Sequence, residues 1–401
     1  PRYNARDASV VLASIHKAKI LMGSATPSVE NYWNAQEGKF GLVELTSRHG
    51  GVQMPEILCA DIKEATRKKK MKSHFSPLLM EQMEEAFKNN EQVILFQNRR
   101  GYAPFMICEE CGHVPECNNC DVSLTYHKYS NQLRCHYCGQ HKKMPNACGA
   151  CGSTRITLKG FGTEQIEEEL AIYFPKLKIA RMDADSTRSK NAYHRLITDF
   201  EEGNIDVLVG TQMVAKGLDF NNVTLVGILN ADTMLNFPDF RAFERAYQMM
   251  SQVSGRAGRK VKRGKVIIQT YDPYHRIIRQ VIDHDYSGMY KNELVERKQF
   301  NYPPFFRLIH FSLKHRDKDM LNAGASEFTY QLQQKFGTRV LGPEFPVISR
   351  IKNFYHKNVL VKVERDASVG ETRKIITEIK NNFEAFSEYK SVRITIDVDP
   401  M

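Results

Sequence analysis

The chain has 401 residues, 42% hydrophobic and 26% charged, a globular composition long enough for two to four domains. Its 57 Lys and Arg against 46 Asp and Glu leave a net charge of +11, which favours a polyanionic partner, most simply nucleic acid. No apolar run is long enough to span a bilayer and no signal peptide is recognisable, which sets membrane partners aside.

In chain order, residues 1–60 open with Pro1-Arg2-Tyr3-Asn4-Ala5-Arg6-Asp7 and a helical stretch. An apolar run, Ala18-Lys19-Ile20-Leu21-Met22-Gly23, then reads as a strand entering Ser24-Ala25-Thr26-Pro27-Ser28. Small hydroxyl residues at a strand's carboxyl end lie where an open α/β sheet binds ligands. A plain strand-to-turn boundary is the alternative. The basic run Arg67-Lys68-Lys69-Lys70-Met71-Lys72 reads as a solvated loop. Residues 76–90 read as a helix and 92–97 as a buried strand. That strand ends in Asn98-Arg99-Arg100-Gly101-Tyr102, which suits a nucleic-acid backbone or an ordinary surface turn.

Eight of the nine cysteines follow, spaced C-x2-C-x5-C-x2-C-x14-C-x2-C-x9-C-x2-C from Cys108 to Cys151. Two residues between cysteines let both thiolates face one metal, and four thiolates satisfy a tetrahedral zinc ion. Four pairs therefore predict two structural Zn2+. Gly112, Gly139 and Gly152 follow three of the pairs and permit the positive φ that such a knuckle often needs. The 14-residue gap is close to ribbon spacing, which favours an inner site of Cys117, Cys120, Cys135 and Cys138. The outer site is then Cys108, Cys111, Cys148 and Cys151. An interleaved cross-brace is the alternative pairing. Disulfides are disfavoured, because the rest of the chain reads as a cytosolic nucleotide-dependent machine. Thr125–His127 and Gln132–Arg134 form a hairpin pattern inside the module. With four Lys/Arg against four Asp/Glu, the module is no strong electrostatic grip on DNA. Tyr126, His127, His136 and Tyr137 could wedge or dock, or simply pack the hairpin.

Beyond the module, strands at 179–183, 205–210, 223–229 and 265–270 alternate with helices at 163–174, 192–201 and 240–254, with Thr163 as an N-cap. Alternation of this kind indicates a parallel sheet. Two stretches carry candidate chemistry. Gly210-Thr211-Gln212 ends one strand and continues to Lys216, Gly217 and Asp219. The glycines allow close backbone approach to a ligand, Thr211 and Gln212 offer hydrogen bonds, Lys216 adds charge, and Asp219 suits a sugar or a cation. Later comes Gln252-Val253-Ser254-Gly255-Arg256-Ala257-Gly258-Arg259. On a continued helix Gln252, Arg256 and Arg259 share one face. Two adjacent guanidiniums repel unless an anion lies between them, and a triphosphate is the natural one. An ordinary strand-to-helix loop and a surface arginine pair are the bland readings of the two stretches.

From Tyr302-Pro303-Pro304 the pattern becomes β-α-β-β-α-β. Its strands are expected at 308–314, 347–350, 358–364 and 391–397, with a Gly342-Pro343 turn and helices at 320–336 and 372–383. Residues 301–401 hold 16 Lys/Arg against 12 Asp/Glu, and Arg350, Lys352, Tyr355, His356 and Lys357 form a basic-aromatic segment.

Taken together, the two chemical stretches resemble motifs V and VI of superfamily 2 helicases, and Gly23–Ser28 resembles motif III. The eight-cysteine insert narrows the resemblance to the primosomal replication-restart helicase family PriA (primosomal protein N′), over essentially the whole chain. Asn98–Phe105 before the cysteines, Ser123–His127 in the hairpin, Gly162–Glu164 after it and Pro238–Arg245 in the late helix all carry it. The opening residues resemble the tail of the family's aromatic-rich DNA-sensing loop, and nested cysteine pairing is the family's arrangement. Leu218 and Asn230 depart from the family pattern, and no role is carried onto either.

The resemblance implies an α/β fold: a RecA-like parallel-sheet helicase lobe with an inserted two-zinc module and a small α+β C-terminal domain. The expected division is 1–60, end of the first lobe and crossover; 61–107, start of the second lobe; 108–152, zinc insert; 153–300, the rest of the second lobe; and 301–401, a C-terminal domain binding DNA and partners. With neither a G-x-x-x-x-G-K-[ST] loop nor an acidic Walker B stretch, the chain is expected to be the C-terminal part of the family protein and inactive in ATP hydrolysis alone. The whole protein would be a bacterial cytoplasmic, ATP-hydrolysing DNA helicase using ATP and Mg2+. It would recognise stalled or branched forks and help reload the replisome. Its partners would be branched or single-stranded DNA, single-strand DNA-binding protein, and other primosome and helicase-loading proteins. Gly210, Thr211, Gln212, Lys216, Gly217, Asp219 and Gly255 would bind nucleotide, with Gln252, Arg256 and Arg259 catalytic. The alternative reading is a zinc-stabilised, non-catalytic scaffold for DNA structures and single-strand-binding protein.

Overall fold

A computed structural model describes residues 3–45, 53–98, 105–127, 130–159, 163–183, 186–187, 190–214, 220–258 and 263–400. Two compact units divide the chain. One comprises Leu42–Pro115 and Pro145–Tyr290; the other comprises Pro1–Gly41, Glu116–Met144 and Lys291–Met401. The five segments read from the sequence divide the chain by motif, whereas these two divide it by contact.

The first unit is built on a six-stranded parallel sheet. Its strand order is Glu56–Asp61, Lys265–Thr270, Val223–Ile228, Gln92–Phe96, Val207–Gly210, Ile179–Met182. Gln92–Phe96 and Val207–Gly210 are buried along their whole lengths, as parallel strands covered on both faces must be. Helix Pro77–Lys88 packs Leu79, Met83 and Ala86 against Val93, Leu95, Val207 and Val209. It starts where it does because the Ser76 side chain accepts from Leu79 N–H and a proline occupies the first turn. The edge strand Glu56–Asp61, read from sequence as part of the N-terminal segment, belongs to this sheet. Residues 18–23 do not form the expected strand. An apolar run becomes a strand only where a neighbour takes its backbone groups; no described strand does so, and Leu21 is 96% exposed.

In the second unit, residues 306–398 form an antiparallel sheet ordered Val340–Glu344, Phe354–Glu364, Phe306–His315, Arg393–Val398, with Arg350–Ile351 folded onto the start of Phe354–Glu364. Helices Lys318–Phe336 and Val369–Ala385 contribute Phe328 and Phe383 to the core, edge to face with each other, and Phe328 also meets Phe311 of the sheet. The β-α-β-β-α-β order stands, with one correction. The second strand is Val340–Glu344, not 347–350, and it contains the Gly342-Pro343 expected to turn. The ladder slips register between Leu341 and Glu344, and a proline is tolerated there because the strand lies at the sheet edge.

Helix Val29–Gln36, capped by Ser28 of the motif III stretch, lies in the same unit. Trp33 meets Phe305 edge to face and carries the Arg365 guanidinium over its ring. Arg297, 2% exposed, pairs with Glu293 and with Glu30. No helix among the described residues is long and apolar enough to cross a membrane.

Candidate metal centres and nucleotide-facing motifs

Among the described residues two cysteine clusters could hold a metal: Cys108, Cys111, Cys148 and Cys151, and Cys117, Cys120, Cys135 and Cys138. The nested pairing is therefore the one the fold adopts, and the interleaved one is excluded. Each knuckle follows from its backbone. Gly112 N–H donates to Cys108 O, Gly139 N–H to Cys135 O and Gly152 N–H to Cys148 O, at 2.9, 3.1 and 2.9 Å. The three glycines have φ of +80, +79 and +74°, as the sequence required. Sγ separations are 3.7 Å for Cys108–Cys151 and Cys111–Cys148, and 3.6 Å for Cys117–Cys138. A Zn–S distance of about 2.3 Å places tetrahedral sulfurs about 3.8 Å apart, so both clusters fit zinc. Amide N–H groups of Tyr137 and Ala150 point at Cys135 and Cys148 sulfurs, the donors a thiolate needs. Closed four-sulfur sites are structural, with no open coordination position for catalysis.

Residues distant in sequence surround the inner cluster. Tyr302 donates its hydroxyl to Cys120 O at 2.8 Å, and Arg134 pairs with Glu344 at 2.5 Å. The 2.6 Å contact of His136 Nδ1 with Phe345 O makes Nδ1 the donor, so His136 Nε2 accepts from His127 Nε2 across 3.3 Å. Burial holds the His136 imidazole down to about 4, so this tautomer is neutral. Tyr126 donates to Asn131 across the hairpin turn. His136 thereby docks the hairpin on Phe345 of the C-terminal domain, whereas Tyr126 bonds within the hairpin, so each of the two roles the sequence allowed has a contact behind it. Lys362 is 7% exposed; its ammonium donates to Phe300 O at 2.6 Å and lies 3.8 Å over the Tyr302 ring. Sequence reading missed Tyr302, Glu344 and Lys362 as neighbours of the zinc module, because no local pattern marks contacts between residues so far apart in sequence.

Gly210 closes its strand, and its carbonyl accepts from Gln97 N–H. Thr211 N–H then reaches Met182 O at 3.3 Å and Val214 N–H reaches Thr211 O at 3.1 Å, a tight turn with Thr211 and Gln212 half-buried. Lys216, Gly217 and Asp219 lie outside the described residues. Gln252 is in the last turn of helix Ala242–Ser254, and Gly255 is its C-cap. The helix thus ends before Arg256, so helical spacing does not align Gln252 with Arg256. A turn carries the arginine instead, with Arg256 N–H on Val253 O and Ala257 N–H on Ser254 O. Arg259 lies outside the described residues. Gly258 N–H donates to Val223 O at 2.9 Å, and Gly264 presses on the same turn so closely that a Cβ would fall 2.3 Å from the Ala257 carbonyl carbon.

These two candidate clusters lie at opposite ends of the sheet. Gly210 is level with Phe96, whereas Val223, which anchors Gly258, is level with Gln92. Four residues along that strand separate the two levels, roughly 13 Å. At the carboxyl end of the sheet, beyond Lys265–Thr270, lies a residue the sequence reading passed over. Asp232 is buried and accepts from Thr270 Oγ1 and Tyr271 N–H at 3.1 and 3.0 Å, and burial raises its pKa to about 6. Asn230, two positions earlier, turns the chain by accepting from Thr233 N–H.

The PriA DNA helicase Cys-rich region domain matches residues 117–143, the helicase conserved C-terminal domain residues 150–261, and the primosomal protein N C-terminal domain residues 298–401. Replication restart protein PriA of Bacillus subtilis is 42% identical over all of the chain and 49% of its own length. The protein of the same name from Haemophilus influenzae is 37% identical over all of the chain and 54% of its own. The chain thus spans about half the length of these relatives. A solved structure of S. cerevisiae Dbp5 bound to RNA and ADP BeF3 is 13% identical, with TM-score 0.35 over 73% of the chain and 59% of that protein. With a six-stranded parallel sheet, one four-cysteine cluster inside the Cys-rich region match and a second flanking it, and the primosomal protein N C-terminal domain matched over residues 298–401, this protein belongs to the PriA family of replication restart proteins.

Proposed function

We propose that the chain is the second motor lobe, zinc module and C-terminal domain of an ATP-dependent DNA helicase that acts at stalled or branched forks. The observation that carries this reading is the pairing of two closed cysteine clusters with a parallel-sheet lobe bearing both candidate motifs. In the proposal, Gln252, Gly255 and Arg256 approach the ATP–Mg2+ triphosphate from the amino end of the sheet, and Arg259 acts on the same triphosphate. Phosphoryl transfer is mostly positioning and charge neutralisation, which is what two guanidiniums supply. Thr211 and Gln212, at the far end, contact the DNA strand that moves. Lys216, Gly217 and Asp219 link the two ends in sequence.

A second DNA-facing surface is supported in the C-terminal sheet. Lys314, Arg316 and Arg393 gather around the Phe354 ring at 5.5, 5.3 and 5.7 Å, and Arg350 lies over Tyr355 at 5.1 Å. Cations crowded on an aromatic face match a phosphate backbone with bases to stack, or the acidic tail of a single-strand-binding protein. Other primosome and loading proteins would join on this fork-bound assembly, in the bacterial cytoplasm.

The test is ATP hydrolysis, with and without forked DNA, by the chain rejoined to the family's N-terminal half. DNA-stimulated turnover that collapses in Arg259→Ala is expected, with no turnover by the chain alone. Absence of turnover in the rejoined protein would leave the zinc-stabilised scaffold as the better reading.

A further inference from the structure

Lys362 is buried in the strand Phe354–Glu364 without a carboxylate partner among the described residues. The contrast with Arg297, also buried but held by two glutamates, is direct. An ammonium removed from water needs an opposite charge unless it is strongly destabilising. The Phe300 carbonyl and the Tyr302 ring offset part of that cost. The ionisable groups close enough to favour the Lys362 charge, once they are ionised, are the thiols of Cys120, Cys135 and Cys138. Four thiolates around one divalent zinc carry a net charge of about −2. A neutral, metal-free thiol cluster carries none. Tyr302 ties the arrangement together, its ring under the ammonium and its hydroxyl on the Cys120 carbonyl.

We infer that Lys362 is the counter-ion of the inner zinc–tetrathiolate, and that zinc at this site fastens the C-terminal sheet to the inner knuckles. The metal then does more than fold its own hairpin. It supplies the charge that lets strand Phe354–Glu364 bury a lysine, and it is stabilised by that lysine in return.

The test uses the full zinc-loaded chain, challenged with a chelator in the presence of a thiol-alkylating reagent and an amine-acylating reagent, with each residue followed by peptide mass spectrometry. In the unmutated chain Lys362 is expected to resist acylation until Cys117, Cys120, Cys135 and Cys138 become alkylated, and then to react in step with them. The exposed Lys374 reacts from the start. Lys362→Met is expected to speed alkylation of the inner four cysteines about tenfold, the loss of one favourable charge interaction. The outer four should be unchanged, and Lys362→Arg should largely restore the slow rate. Acylation of Lys362 while the inner cysteines are still protected overturns the inference, as does protection that outlasts their alkylation. Equal acceleration of both clusters, or of neither, in a folded Lys362→Met chain also overturns it. If that variant does not fold, the unmutated chain decides.

Discussion

Asp232 shows how one buried group sets a pH dependence. An acid that holds its proton more tightly folded than unfolded takes up protons on folding. Between the ordinary aspartate value near 4 and the folded value of about 6, the folded chain carries more protons, so stability falls as pH rises through that window and levels off above it. A shift of that size is worth on the order of 3 kcal/mol. Asp232→Asn keeps both partners, since the amide oxygen accepts from Tyr271 and the amide nitrogen donates to Thr270. It is expected to flatten the slope between pH 4 and 6 in urea unfolding curves. Asp232→Ala leaves Tyr271 N–H buried without an acceptor and should cost about 1–3 kcal/mol at pH 7. Gly264→Ala puts a methyl group into the Ala257–Gly258 turn and should lower thermal stability by about 1–3 kcal/mol, read as a drop in Tm. Cys59, the one cysteine outside the two clusters, is half-buried in Glu56–Asp61. Burial pushes its thiol up to about 12, far from the reactive range.

Five of the six strands of the parallel sheet fall where the sequence places them, because strands covered on both faces are apolar runs bounded by turn residues; the sixth, Glu56–Asp61, is an edge strand. Residues 18–23 have the same composition and form no strand, since composition does not supply a pairing partner. Val340–Glu344 was hidden for the opposite reason: its Gly-Pro reads as a turn, and only the sheet edge makes it tolerable. The two motif clusters were legible as chemistry but not as places. Nothing in their spacing says that one sits at the carboxyl end of the sheet and the other at the amino end. That separation makes an element-scale prediction. In the rejoined protein, Arg256→Ala should lower DNA-stimulated ATP hydrolysis by about a thousandfold, as loss of a phosphate-facing arginine does. Thr211→Ala should leave hydrolysis within about threefold while reducing unwinding per ATP consumed. Steady-state ATPase and strand-displacement assays on the same preparations separate the two.

For the molecule as a whole, the cysteine pairing was legible in the spacing, and the neighbours of the inner pair were not, since Cys120 and Tyr302 are 182 residues apart. The single tryptophan reports on this arrangement. Trp33 lies against Phe305 and Arg365 in the unit that also holds the inner cysteines. Structural zinc is worth about 10–16 kcal/mol in isolated zinc-finger peptides, so a strong chelator should release two metal equivalents and loosen that unit. A red shift of Trp33 emission is expected to accompany zinc release, and emission unmoved by release would contradict the coupling. The same separation has a consequence for biosynthesis. At about 5–20 residues per second, roughly 8–33 seconds pass between translation of Cys138, the last ligand of the inner cluster, and of Tyr302. During that interval the ribosome-bound chain carries a finished metal-binding loop whose cover has not yet been made, so metal supply and thiol protection matter most while the polypeptide is still being translated.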